Sequence, residues 1–269
     1  MPMSAVMFVV VVFGRGRRVQ ALIAVPVMLQ RILELPAAVR QRYDTTSLRV
    51  VAVSGSALPG DLAARFMDEY GEILYNLYGS TEVAWASIAT PADLRQAPGT
   101  AGKAPRLTTV RILDESGQAV PTGTTGRIFV GNDFPFEGYT GGGSKTEVDG
   151  LLSTGDVGHL DSEGRLFVVG RDDEMIVSGG ENVFPVEVEE LLISHPAVAD
   201  VAVIGVDDQE FGQRLKAFVV CHDGQEVDSE DLRQFVKENL ARYKVPREVV
   251  FVDELPRNPT GKILKRELR

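Results

Sequence analysis

Apolar side chains recur at helical spacing in VPVMLQRILEL (25–35), which predicts an amphipathic helix. In SLRVVAVSGS (47–56) the pattern changes to a continuous apolar run entering a turn of small residues, as in a buried strand. Pro59 then opens a predicted helix reaching about Tyr70, because proline suits a first helical turn. EILYNLYGSTE (72–82) predicts a short strand ending in a loop. From about 100 to 170 the pattern turns to β. TTVRILDESGQAV and HLDSEGRLFVVG both predict hairpins with a D-x-x-G turn, and GRIFVGN a strand between them.

Past Gly170-Arg171-Asp172-Asp173 a smaller unit begins. PVEVEELLISHP (185–196) predicts a helix with Pro185 in its first turn and Val188, Leu191 and Leu192 on one face. VADVAVIGV and LKAFVVCH read as strands. DSEDLRQFVKENLARY (228–243) is an amphipathic helix with Leu232, Phe235, Val236 and Leu240 inward, and REVVFVDEL is a last strand. The order αββαβ predicts a compact α+β domain of about a hundred residues. The expected fold class is α/β: a truncated large α/β domain with a β-rich subdomain (about 100–170), plus a small C-terminal α+β domain. The expected division is 1–172 and 174–269, with a hinge at Asp173.

Composition narrows the function. A chain of 269 residues, 44% hydrophobic and 25% charged, has enough material for one or two domains with a real core. A net charge of −10 argues against a general affinity for nucleic acid or anionic membrane. The C-terminus is a local exception, with Lys262, Lys265, Arg266 and Arg269. A lone Cys221 cannot form an internal disulfide or a metal pair, which suits a reducing cytoplasm. The opening MPMSAVMFVVVVFGRGRR has an apolar run far short of the ~20 residues of a membrane span. Its positive charges follow the run, whereas a signal peptide would place them before it. It reads as a buried strand or a misassigned start, with membrane association at most peripheral.

Three stretches carry candidate chemistry. YGSTE (78–82) brings a tyrosine, a glycine, two hydroxyls and a carboxylate into one loop after a strand. Tyr78 can stack on a base, Ser80 and Thr81 can bond phosphate oxygens, and Glu82 can hold Mg²⁺, which prefers oxygen ligands. In LLSTGDVGHL (151–160), Asp156 can accept both hydroxyls of a ribose; a plain turn carboxylate is the alternative. GRDDEMIVSGGENVFPVEVEE (170–190) joins an arginine, two aspartates, a Gly-Gly loop and a helix, or else is a charged linker. Near the end, Gly261-Lys262 invites comparison with a Walker phosphate loop. Pro256 stands where that motif needs glycine, and Ile263 where it needs Ser or Thr, so the lysine needs another explanation. His159, His195 and His222 have no metal spacing and read as structural or surface residues.

Taken together, Y-G-x-T-E, T-G-D, G-R-x-D-x-x-I-x-x-x-G-x-x-x-x-P-x-E-V-E and the LPRNPTGK segment resemble the adenylate-forming superfamily. That superfamily includes acyl-CoA synthetases, luciferase-like enzymes and peptide-synthetase adenylation domains, and the resemblance runs from about Val25 to Arg269. It implies that ATP and a carboxylic acid form an acyl-adenylate, from which a thiol then displaces AMP. By the same resemblance Gly55, Ser56 and Ala57 line the adenine, Asn76, Tyr78 and Gly79 contact the base, and Thr81 meets phosphate. Glu82 would ligate Mg²⁺, Asp156 and Arg171 bind the ribose, and Asp173 is the hinge. Lys262 matches the adenylation lysine, carried on a mobile small domain to the acyl carboxylate and α-phosphate. There an ammonium stabilises shifting negative charge, an effect worth roughly 10²–10³ in rate. In the second half-reaction the loop of Gly179, Gly180 and Glu181 replaces it, where glycine lets backbone approach the pantetheine thiol.

The sequence departs from the family in two ways. No Gly/Ser/Thr-rich loop ending in Pro-Lys-Gly is present; TGTTGRIF (122–129) resembles one, but its position fits a hairpin turn. The chain is also about half the family's usual length, and residues up to about Val19 match nothing in it. The expected function is a shortened fatty-acid–CoA ligase using ATP, Mg²⁺ and CoA, because YGSTE rather than YGPTE, with no carrier segment after Arg269, favours CoA. An inactive fragment retaining nucleotide or partner binding stands beside it, with aryl-acid or luciferase-like activity as a further option.

Overall fold

The computed structural model describes residues 19–134, 136–225, 227–258 and 262–268. The apolar opening through residue 18 and the Pro-Thr-Gly turn at 259–261 lie outside the described residues. The chain divides into two compact units. One takes the residues up to Thr154 with Gly158–Val168, the other Gly155–Val157 with Val169–Arg269.

In the first unit, β1 (Ala21–Ala24), β2 (Val50–Val53) and β3 (Leu74–Ser80) run parallel, and β4 (Ala84–Ala89) lies antiparallel beside β3. Helices α1 (Pro26–Glu34), α2 (Ala37–Arg40), α3 (Gly60–Tyr70) and α4 (Pro91–Gln96) accompany this sheet. Pro26 starts α1 and Pro36 follows its end. Pro59 is the residue before α3, and Gly71, at φ +89°, ends that helix by donating its N–H to Met67 O at 2.8 Å. Leu62, Ala63, Phe66 and Met67 of α3 pack with Val51, Val53 and Leu74 of the strands. Full burial of a side chain such as Phe66 or Leu74 contributes about 1.5–3 kcal/mol.

The sequence predicted a loop after a short strand at 72–82. Instead β3 continues to Ser80 and the chain turns back directly into β4. β4 reads AWASIA, and its buried Ala86, Ser87 and Ala89 are small, so the apolar signal was weak. Ser87 is tolerated inside because its Oγ donates to Ala101 O at 2.8 Å.

The β-rich stretch comprises β5 (Thr109–Leu113), β6 (Gly126–Gly131), β7 (Glu147–Val148), β8 (Leu151–Leu160) and β9 (Leu166–Arg171), ordered β5-β6-β8-β7 with β9 on β8. Both D-x-x-G turns form as predicted. Asp114 Oδ1 accepts the N–H groups of Ser116 and Gln118 at 2.8 and 2.9 Å. Asp161 Oδ1 accepts those of Glu163 and Arg165 at 2.9 and 2.8 Å.

In the second unit, β10 (Ile176–Ser178) and β11 (Glu181–Val183) form a hairpin, followed by α5 (Pro185–Ile193), β12 (Val198–Asp208), β13 (Gly212–Cys221), α6 (Ser229–Asn239) and β14 (Glu248–Phe251). The strand order is β11-β10-β13-β12, with β14 parallel to β13. Alternate residues of β12 and β13 face opposite ways. Val201, Val203, Leu215, Ala217 and Val219 pack with Val188 and Leu192 of α5 and Leu232 and Val236 of α6. Ala202 and Phe218 pack with Leu255 and Leu268 of the C-terminal segment. Asp228 caps α6, accepting Asp231 N–H at 2.8 Å. The predicted αββαβ order is present, preceded by a hairpin where the sequence predicted only a Gly-Gly loop. Among the described residues no helix is long and apolar enough to cross a membrane.

Candidate functional site

In the first unit the register of the parallel strands sets Val53 opposite Asn76, so the chain leaves β2 and passes along β3 at the same end of the sheet. That end carries the exposed Gly55, Ser56 and Ala57 after β2, and Tyr78, Gly79, Ser80, Thr81 and Glu82 on β3 and its turn. Ligands of open parallel sheets bind at the carboxyl ends of strands. Gly55 has φ +92°, which suits glycine. Asn76 is only 7% exposed and donates its Nδ2–H to Thr100 O at 3.2 Å. Tyr78 is half-buried, packed against the β-rich core. Gly79 lies so close to the returning strand that a Cβ would stand 1.9 Å from Ala84 O.

Glu82 is the electrostatic centre of this end. Tyr139 Oη donates to its Oε1 at 2.6 Å and Ser80 Oγ to its Oε2 at 2.7 Å, with Lys145 Nζ 4.0 Å away. The Tyr139 hydroxyl first, and the Ser80 hydroxyl second, hold the Glu82 carboxyl at about 2. Glu82 is therefore an anion throughout the neutral range. Thr81 is exposed beside it. Neither Tyr139 nor Lys145 was singled out from the sequence. They follow Glu82 by more than fifty residues, and the glycine-rich EGYTGGGSK around them was the available signal.

In the second unit Arg171, at the end of β9, stands between two carboxylates. Its Nη1 lies 3.5 Å from Asp156 Oδ1 and its Nε 3.0 Å from Asp173 Oδ1. Gly155, at φ +80°, makes room: a Cβ there would stand 3.3 Å from the guanidinium. The Arg171 hydrogen bond holds Asp173 below its ordinary carboxylate range, and the Lys262 charge adds to the effect. Asp156, Arg171 and Asp173 are thus brought together. Asp173 itself lies in a short 3₁₀ segment, Asp172–Glu174.

Gly179 and Gly180, at φ +63° and +85°, form the tip of the β10–β11 hairpin, and Glu181 begins β11. A Cβ on Gly179 would press on the Phe211 ring at 3.0 Å. Lys262 is exposed; its N–H donates to Asn258 Oδ1 and its carbonyl accepts Asn258 N–H, both at 2.9 Å. This hairpin tip and Lys262 belong to separate segments of the second unit.

Among the described residues no group of three or more His, Cys, Asp or Glu is arranged to hold a metal ion. Mg²⁺ in nucleotide sites is commonly held by one or two carboxylates with substrate phosphates and water. Glu82 fits that use: it is ionised, and each oxygen receives one hydroxyl, leaving a lone pair.

The family model for AMP-binding enzymes matches residues 15–140, and that for the AMP-binding enzyme C-terminal domain matches 187–262. An indoleacetate–CoA ligase of Aromatoleum aromaticum is 38% identical over 256 residues, covering 94% of this chain and 50% of the relative. A feruloyl-CoA synthase of Amycolatopsis is 40% identical, covering 94% and 52%. Among solved structures, the amide bond synthetase McbA of Marinactinospora thermotolerans superposes with a TM-score of 0.85 at 33% identity, covering 94% of this chain and 52% of that one. The chain spans about half the length of the curated relatives it matches.

Proposed function

The chain belongs to the adenylate-forming superfamily of AMP-binding enzymes, and from that premise we propose that it takes part in activating a carboxylic acid with ATP to an acyl-adenylate that CoA then captures. The observation that carries this is the Ser80-Thr81-Glu82 turn. It sets hydroxyls and a carboxylate held ionised at the carboxyl end of a parallel sheet, where nucleotide phosphates and their Mg²⁺ would be bound. Mg²⁺, when bound, would offset phosphate charge. Thr81 would bond a phosphate oxygen, Tyr78, Asn76, Gly79 and Gly55–Ala57 would border the base, and Asp156 with Arg171 would hold the ribose.

Lys262 would stabilise the charge passing between acyl carboxylate and α-phosphate. Gly179, Gly180 and Glu181 would serve the thiol step, and Asp173 would be the pivot between the steps. A lone Cys221 suits a reducing cytoplasm as the place of action.

The relatives' names favour an aromatic acid over the fatty acid that the sequence suggested, since those reported are ligases for indoleacetate and ferulate. Pyrophosphate release by the full chain with ATP, Mg²⁺ and CoA, across aromatic and fatty acids, tests the reading with Lys262→Ala as control. Release is expected with an aromatic acid, dependent on Lys262, with thioester formation from supplied acyl-adenylate spared in Lys262→Ala. Equal loss of both steps defeats the lysine's role. A second reading, nucleotide binding without turnover, stands beside it. AMP binding with no release under any acid would establish it.

A further inference from the structure

Lys262 sits on a strand pair whose two arms are each tied down by a charge outside the glycine-lysine motif. Leu264 N–H donates to Pro256 O at 2.8 Å, Arg257 bridges Ile263, and Asn258 and Lys262 bond reciprocally. On the incoming arm the Arg257 guanidinium pairs with Asp200 of β12, whose other oxygen accepts Val201 N–H at 3.0 Å. On the outgoing arm Lys265 Nζ lies 2.9 Å from Glu189 Oε1 on α5 and 3.1 Å from Glu174 Oε2, next to Asp173. Glu189 cannot swing away, because Oε1 also accepts Val203 N–H of β12 at 2.7 Å. Both arms are therefore referenced to the same strand.

The outgoing tie is electrostatic rather than steric. Lys265 borders an open groove of about 500 Å³, shared with Glu174, Ile204, Gly205, Asp207 and Leu268, so packing alone does not fix its ammonium. Burial pushes the Glu189 carboxyl above the usual carboxylate range and the Lys265 charge pulls it back, so each holds the other in place.

We propose that Arg257 and Lys265 are positioning residues, a clamp with one charge on each arm that sets where Lys262 stands. The consequence for rate rests on the reading of Lys262 given above; the placement does not. A misplacement of about 1 Å costs about 10²-fold in rate. The long side chains of the clamp suit isosteric removal of charge.

The test uses the full chain as Lys265→Met, Lys265→Arg, Arg257→Met and the double variant Lys265→Met/Glu189→Gln, which removes the carboxylate that Lys265→Met would strand in the core. The adenylation kcat is expected to fall about 10²-fold in Lys265→Met and in the double variant, with KM for ATP nearly unchanged. Arg257→Met should fall in the same direction, Lys265→Arg should recover most of the rate, and thioester formation from supplied acyl-adenylate should be spared throughout. Hydrogen exchange at the Lys262 amide should quicken in Lys265→Met and the double variant, and stay slow in Lys265→Arg. An unchanged adenylation kcat in the folded double variant overturns the proposal, as does an equal loss in both half-reactions. Should the unsubstituted chain form no adenylate, the functional reading fails and exchange alone decides the clamp: quickening at Lys262 upholds it, and unchanged exchange overturns it.

Discussion

The Tyr139 hydroxyl donates to Glu82 Oε1 at 2.6 Å, joining residues 57 positions apart, and this bond is the largest cause holding the carboxyl at about 2. The consequence is a pH-dependent contribution to stability. The Glu82 value in the fold lies below the 4.5 of an unconstrained glutamate, so its contribution is present above about pH 4.5 and disappears as pH falls toward 2. Tyr139→Phe should raise the Glu82 titration toward 4.5, visible in the carboxyl carbon shift. Its urea midpoint should trail that of the unsubstituted chain at neutral pH, with the gap closing through the acid range. A gap that stays constant from neutral to strongly acid pH would show that Tyr139 acts by packing instead.

Gly79 and Gly71 separate two reasons for glycine. At Gly79 an added Cβ would stand 1.9 Å from Ala84 O, a backbone atom that can move only if β3 and β4 part. At Gly71 nothing lies within 4 Å, but φ is +89°. Gly79→Ala should therefore cost more than about 4 kcal/mol, the range of substitutions with a specific steric cause. Gly71→Ala should cost about 1–3 kcal/mol, because φ +89° with ψ 178° is a backbone region essentially reserved for glycine. Chemical denaturation measures both, and equal costs would mean that the β3–β4 turn relaxes easily.

Asp156 and Arg171 should contribute to nucleotide affinity together rather than separately. Their charges lie 3.5 Å apart, so loss of either leaves the other altered. Asp156→Asn and Arg171→Gln should each weaken AMP binding by about 10–100-fold, the scale of hydrogen bonds to charged groups. The double variant should lose less than the product of the single losses. Calorimetric titration with AMP measures this on a chain with or without turnover. Full multiplicativity would mean that the two do not act as a unit.

The parts of this molecule that were legible in its sequence are those written locally. Pro59 and Pro185 lie at or just before the starts of α3 and α5 as predicted, because a fixed φ and a missing donor act within one turn. The D-x-x-G turns were equally local. The β3–β4 and β10–β11 hairpins were among those missed. β4 buries Ala86, Ser87 and Ala89, too small to stand out, and the β10–β11 pair is three residues on each side of Gly179-Gly180, too short for an alternation to register. The candidate site divides similarly. Glu82, Asp156 and Arg171 sat in recognisable runs, whereas Tyr139 and Lys145 act on Glu82 through space and carry no sequence spacing that points to it. Glu189, in the predicted helix 185–196, gave no sign from its helical position that it would meet Val203 N–H and Lys265.

Asp173 offers the test that separates charge from backbone. Its carboxylate receives Arg171 Nε at 3.0 Å, and it stands in the middle of the 3₁₀ turn Asp172–Glu174. Asp173→Asn removes the charge and leaves φ free. Asp173→Pro removes the charge, fixes φ near −65° and disfavours the helical conformation of Asp172 before it. A residue that pivots must change its backbone angles, so only the proline should arrest it. The expected outcome is that Asp173→Pro slows one half-reaction at least about tenfold more than the other, because one backbone state is retained and the second is lost. Asp173→Asn should alter both steps alike. If the two variants behave identically, Asp173 matters as the partner of Arg171. If proline slows both steps equally, the pivot lies elsewhere in the chain.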